Sequence, residues 1–83
     1  MRVSVRYFAS LREALGDGET VDLVPPASVG ALRERLIEMG GRRAEALARG
    51  RPVRCAVDRT MCDESAPLHP GAEVAFFPPV TGG

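Results

Sequence analysis

Glu73-Val74-Ala75-Phe76-Phe77-Pro78-Pro79-Val80-Thr81-Gly82-Gly83 is the stretch on which the fold turns. Residues 73–77 alternate as a strand does, with Val74 and Phe76 on one face and Ala75 and Phe77 on the other. Proline has no N–H to give to a ladder, so Pro78 and Pro79 end this strand and bias the residues after them toward a stiff, extended path. The opening segment has the same pattern. Arg2 to Phe8 sets Val3, Val5 and Tyr7 on one face and Arg2, Ser4, Arg6 and Phe8 on the other. Two strands that each offer one apolar face are expected to lie side by side over a single core.

Between them the punctuation is legible. Ser10 to Leu15 reads as a short helical turn closed by Gly16-Asp17-Gly18, and Glu19 to Val24 as a second strand, with Val21 and Leu23 inward, stopped by Pro25-Pro26. Ser28 is the expected N-cap of the main helix, in which Val29, Leu32, Leu36 and Met39 recur at helical spacing; Arg33, Glu34, Arg35 and Glu38 are expected mostly toward water, and Gly40-Gly41 supplies the stop. A shorter helical segment, Arg43 to Arg49, contains one large apolar residue, Leu47. A third strand, Val53 to Val57, turns at Asp58-Arg59 into a short edge strand, Thr60 to Cys62. Leu68 reads as a core plug before the Pro70-Gly71 turn. The order strand, strand, helix, strand, short strand, strand predicts an α+β chain of the β-grasp, or ubiquitin-like, class: a mixed sheet with one main helix packed on one face. Residues 1–77 form the domain and 78–83 an extended, flexible C-terminal tail.

The 83 residues suffice for one small domain that buries about 60–65% of its unfolded surface. Eleven basic residues balance eleven acidic ones, so no nucleic-acid or membrane surface is expected. All the basic residues are arginine, so no side-chain amine could accept an acyl group. No leader and no membrane-length apolar run is read, which makes the cytoplasm the expected location. Cys55, Cys62 and the single His69 are too few for a four-ligand zinc site, so no metal is expected, and His69 is assigned no role. The Asp58-Arg59 turn sets Cys55 opposite Cys62, expected as half-buried free thiols in a reducing compartment.

Two features point to function. Gly82 and Gly83 make the thinnest backbone available, and the six residues from Pro78 reach roughly 20 Å when extended, so a terminal carboxylate on Gly83 could enter a narrow channel in another protein. The plainer alternative is an ordinary frayed end. Phe8 and Phe77 fall on the side of their strands away from the core, and Met61 joins them from the edge strand. Either they form an exposed apolar patch for a partner, or a loop or strand bulge covers them.

Val5-Arg6-Tyr7-Phe8-Ala9 with Leu11-Arg12-Glu13, Val29-Gly30-Ala31-Leu32-Arg33, Ala56-Val57 before its turn, and above all the stretch from Gly71 to Gly83 resemble the small, sulfur-carrying subunit of molybdopterin synthase, the MoaD family. The similarity covers essentially the whole chain. Gly-Gly alone is shared with thiamin-type carriers and ubiquitin-like modifiers; Phe-Phe-Pro-Pro-Val-Thr before it singles out the molybdenum-cofactor branch. The resemblance implies that Gly83 is adenylated by an E1-like, ATP-using adenylyltransferase and converted by a sulfur donor to a thiocarboxylate. Its sulfur then passes to a cyclic pterin precursor held by the large subunit, in a heterotetramer of two small and two large subunits. It further implies that Gly82 gives clearance, that Val80 and Thr81 are tail contacts, that Phe8, Met61 and Phe77 pack on partners, and that Arg12 makes a polar contact with the activating enzyme. The chain is then non-catalytic alone and binds no cofactor itself. The alternatives are a carrier for thiamin, tRNA or cysteine synthesis, or a ubiquitin-like modifier.

Overall fold

A computed structural model describes residues 1–79; the expectations for Val80, Thr81, Gly82 and Gly83 lie outside the described residues. The elements in chain order are β1 (Arg2–Tyr7), α1 (Ala9–Leu15), β2 (Gly18–Asp22), β3 (Ala27–Ser28), α2 (Val29–Glu38), α3 (Gly41–Ala46), β4 (Arg54–Val57), β5 (Thr60–Cys62), β6 (Pro67–Leu68) and β7 (Glu73–Phe77). Five strands form one sheet in the order β2-β1-β7-β4-β5. β1 and β7 run parallel, from Ser4 opposite Glu73 to Tyr7 opposite Phe76, and the remaining pairs are antiparallel. This is the expected β-grasp: the two terminal strands are neighbours in the interior of a mixed sheet, with the main helix on one face.

Side-chain parity decides which face the helix covers. Val3, Val5 and Tyr7 from β1 and Val74 and Phe76 from β7 are almost completely buried, as are Val29, Leu32 and Leu36 of α2. Leu47, just after α3, fills the same core. α2 begins where the Ser28 hydroxyl accepts the Ala31 N–H at 3.1 Å, and it ends before Gly40, whose φ of 75° favours glycine. Gly18 is required by the approach of β2 to β1: a Cβ there would lie 2.2 Å from the Val5 carbonyl oxygen. Tyr7 keeps its polar tip satisfied at the core edge, where its hydroxyl donates to Glu19 at 2.7 Å and Arg43 grips the same carboxylate through two N–H groups at 2.8 and 2.7 Å.

Two expectations need correction and a third needs a different setting. Arg33 does not face water; it is 4% exposed. It lies four residues after Val29, on the buried stripe of α2, and the loop beneath turns its carbonyls inward. Arg33 Nε donates to the Leu47 carbonyl at 2.8 Å, and Nη2 to those of Ala48 and Arg51 at 2.7 and 3.1 Å. Nη1 meets Glu64 at 2.8 Å, so the planar fork supplies donors that the buried carbonyls require. Met39 leaves the apolar stripe because it caps the helix, and it is exposed. Leu68 does plug the core edge, half-buried, but it does so from a second, two-stranded sheet in which Ala27 lies opposite Leu68 and Ser28 opposite Pro67. Two-residue strands show no periodicity, so nothing in the sequence marks them. Among the described residues no helix is long and apolar enough to cross a membrane.

Candidate functional site

Among the described residues no helix covers the other face of the sheet. Phe8 follows β1 directly: its N–H donates to the Phe76 carbonyl at 3.1 Å, and its own carbonyl accepts from Leu11 and Arg12 at 3.1 and 3.3 Å. The backbone at Phe8 thus closes the β1–β7 ladder and opens α1, which fixes the direction of its side chain. The register that sets Tyr7 opposite Phe76 brings Phe8 alongside Phe77. Phe8 is 43% exposed, while Phe77 is half-buried. The Arg6 guanidinium lies over the Phe8 ring, 5.9 Å from its centroid, in cation–π contact.

Met61, 55% exposed, lies opposite Ala56, which lies opposite Ala75, which lies opposite Arg6. In the next row Arg54 is opposite Phe77. The open face therefore has an aromatic pair where β7 ends, a shallow alanine floor, a methionine at the edge strand and an arginine on either side. Such an apolar centre with a basic rim suits docking on a protein surface. Phe8 and Met61 are exposed and Phe77 is half-buried, the least exposed of the three. Arg12 stands one helical turn beyond Phe8 and is exposed, paired with Asp17 at 2.6 Å. Arg6 and Arg54 were missed as members of this surface. Their signal was parity: Arg6 shares a face with Phe8, and Arg54 lies an even number of residues before Ala56 on β4.

β7 ends at Phe77, and Pro78 and Pro79 come after it outside any strand. At the far end of the strand Asp58 accepts the Glu73 N–H at 3.0 Å and meets His69 Nε2 at 2.7 Å, tying the hairpin tip to the start of β7. The backbone hydrogen bond from Glu73, then the His69 contact, hold the Asp58 carboxyl below its usual range. The His69 imidazole is correspondingly raised by Asp58. These contacts are structural ties at the end of the sheet away from Phe77. The described site offers a surface and a strand end that Pro78 and Pro79 follow.

Comparison with known proteins agrees with this geometry. SAMP1 from Haloferax volcanii shares the fold, with a TM-score of 0.80 over 100% of both chains at 23% identity. Subunits 1 and 2 of the molybdopterin-converting factor from Helicobacter pylori 26695 have been solved as a protein–protein complex. That structure matches with a TM-score of 0.70, 24% identity and 100% coverage of both chains, again a likeness of fold. In sequence, the molybdopterin synthase sulfur carrier subunit of Escherichia coli (strain K12) is 41% identical over 81 residues, 98% of this chain and 99% of that protein. The ThiS family model matches residues 5–83, from the middle of β1 through the glycine pair, and the chain belongs to the ThiS family.

Proposed function

We propose that this chain is the sulfur-carrier subunit of a molybdopterin synthase. The observation that carries the proposal is the 41% identity, over nearly the whole of both chains, with a sulfur carrier subunit of that enzyme. The uncovered apolar face beside the end of β7 supports it. Gly83 is the reactive residue. A carboxylate is a poor electrophile because its leaving group is oxide, so an adenylyltransferase first joins it to AMP with release of pyrophosphate from ATP. A sulfur donor attacks the acyl carbon and expels AMP, leaving a thiocarboxylate. Its sulfur, softer and more nucleophilic than oxygen, bonds to the cyclic pterin precursor, and water cleaves the acyl–sulfur bond, so that sulfur stays on the pterin and Gly83 returns as the carboxylate. A dithiolene needs two sulfurs, so two loaded carriers serve each product, in keeping with a heterotetramer of two small and two large subunits in the cytoplasm.

On this reading Phe8, Met61 and Phe77 seat the large subunit, Val80 and Thr81 contact its channel, Gly82 gives clearance, and Arg12 contacts the activating enzyme. The chain holds no catalytic group of its own, and ATP belongs to the activating enzyme.

The test is intact-mass analysis of the chain coexpressed with its activating enzyme and the large subunit. Exchange of one oxygen for sulfur at Gly83 is expected, with the large subunit copurifying. Deleting Gly83, or adding one residue after it, is expected to abolish sulfur transfer without altering the fold. Undiminished molybdopterin formation in either variant would refute the assignment, and a persistent adduct on a target lysine would identify a protein modifier instead.

A further inference from the structure

The two cysteines take no part in the proposed sulfur transfer, yet the fold holds them together. Cys55 on β4 and Cys62 on β5 are opposite residues in the antiparallel ladder, and their sulfurs are 3.9 Å apart. The pairing is set by the tight turn at Asp58 and Arg59, whose φ values of 48° and 70° are those of a two-residue hairpin. Opposite residues in such a ladder have Cα atoms about 4.5–5.5 Å apart, inside the range a disulfide spans. The sulfurs need to close to roughly 2.0 Å, a shift of about 1 Å each, which small χ1 rotations supply. Both are free thiols, and among the described residues no group of three or more His, Cys, Asp or Glu side chains could hold a metal with them.

We propose that Cys55 and Cys62 are a reversible dithiol–disulfide pair that reacts with low-molecular-weight disulfides such as oxidised glutathione and, when oxidised, crosslinks the edge strand β5 to β4. Access is asymmetric. Both cysteines line an open cleft of about 550 Å³, large enough for a small disulfide to approach, and Cys62 is the less buried of the two. Cys55 is 4% exposed, and burial, then its hydrogen bond with Cys62, pushes its thiol up to about 12. Cys62 therefore reacts first. Its thiolate attacks one sulfur of the small disulfide, forming a mixed disulfide on Cys62 and releasing one small thiolate. Cys55 then gives up its proton and attacks the Cys62 sulfur, expelling the second small thiolate. In sum two protein thiols are oxidised and one small disulfide is reduced to two thiols, so protons and electrons balance.

The crosslink acts where the sheet is weakest. β5 is an edge strand held by three pairs, and Cys62 is its last residue. Oxidation pins the free end of the strand that carries Met61. This inference is independent of the identity of the acceptor of Gly83 sulfur and fails or stands on its own chemistry.

The experiment incubates the full chain in glutathione buffers from fully reduced to fully oxidised, with acid quenching, alkylation and peptide mapping afterwards. Expected are loss of both alkylatable thiols together, a monomer, a Cys55–Cys62 linked peptide, and a glutathione adduct on Cys62 early in the time course. Cys55→Ala is expected to stop at that adduct, and Cys62→Ala to leave Cys55 unmodified while folded. The early adduct on the unmutated chain decides the order if a variant folds poorly. Both thiols remaining alkylatable in fully oxidised buffer, disulfide-linked dimers in place of the internal crosslink, or first reaction at Cys55 would each overturn the proposal.

Discussion

Phe76 and Phe77 are adjacent on one strand and meet opposite fates. Phe76 is 1% exposed beneath α2, whereas Phe77 is half-buried on the open face, beside Phe8 and Arg54. The inner face is apolar because the fold needs it so: its buried residues form one core cluster with Val29, Leu32 and Leu36. The outer face gains nothing comparable from the described chain, so its aromatic pair and Met61 are spare apolar surface. Residues that hold the domain together are thereby separated from apolar residues that the domain itself leaves partly exposed.

The contrast is tested most severely at its own pair. Phe76→Ala is expected to cost about 4 kcal/mol of unfolding free energy, since a fully buried ring leaves a cavity in a close-packed core. Chemical denaturation measures it, and a loss below about 1 kcal/mol would mean that the inner face is not the core. Arg33→Ala comes next, at about 3 kcal/mol, because it strands the inward carbonyls of Leu47, Ala48 and Arg51 and leaves Glu64 with Arg49 alone. A near-neutral result by the same assay would show that water replaces the guanidinium. Phe77→Ala is expected to weaken binding to the large subunit by about 2 kcal/mol with a smaller loss of domain stability. If calorimetry finds normal binding by a domain that has lost much of its stability, Phe77 belongs with Phe76.

Acid gives the smallest effect and bears on the same division. On the helix side Glu19 is held below the usual glutamate range, chiefly by its hydrogen bond from Arg43. Burial pushes Glu64 up, but hydrogen bonds from Arg49 and Arg33 outweigh it and hold it low. A carboxyl depressed in the folded state stabilises above its unfolded value of about 4.3, and that contribution is lost as pH falls through the folded value. Melting temperature is therefore expected to fall below about pH 4, and less steeply in Glu19→Gln and Glu64→Gln. Equal slopes for variants and parent would remove these carboxylates from the account.

Much of this was legible in the sequence because period-two and helical patterns state parity directly. The alternation of residues 2–8 and 73–77 located the two interior strands, the Asp58-Arg59 turn set Cys55 opposite Cys62, and the phase of Phe8 and Phe77 located the open face. The hidden part depended on backbone that has no period. Arg33 reads as a surface residue by type, and only its position on the Val29 stripe hints otherwise. Its partners are carbonyls, which every residue has and no sequence distinguishes. The β3–β6 pairing is likewise two residues deep on each side. Arg6 and Arg54 are legible by parity alone, Arg6 from the alternation of residues 2–8 and Arg54 from its even spacing to Ala56.

Because β7 lies at the middle of the sheet, its register is set on both flanks, by β1 on one side and β4 on the other, and Asp58 clasps its first residue. A slip of one residue would exchange the Phe76 and Phe77 faces, so the place where the chain departs is a fixed datum. Distance beyond it is metered in whole residues of at most about 3.6 Å. On the proposed function, a partner that must find one atom past Phe77 can rely on counting, in the way a gauge relies on its zero mark. Insertions in the loops between other strands leave that measure untouched, whereas one extra residue between Phe77 and Gly83 miscalibrates it.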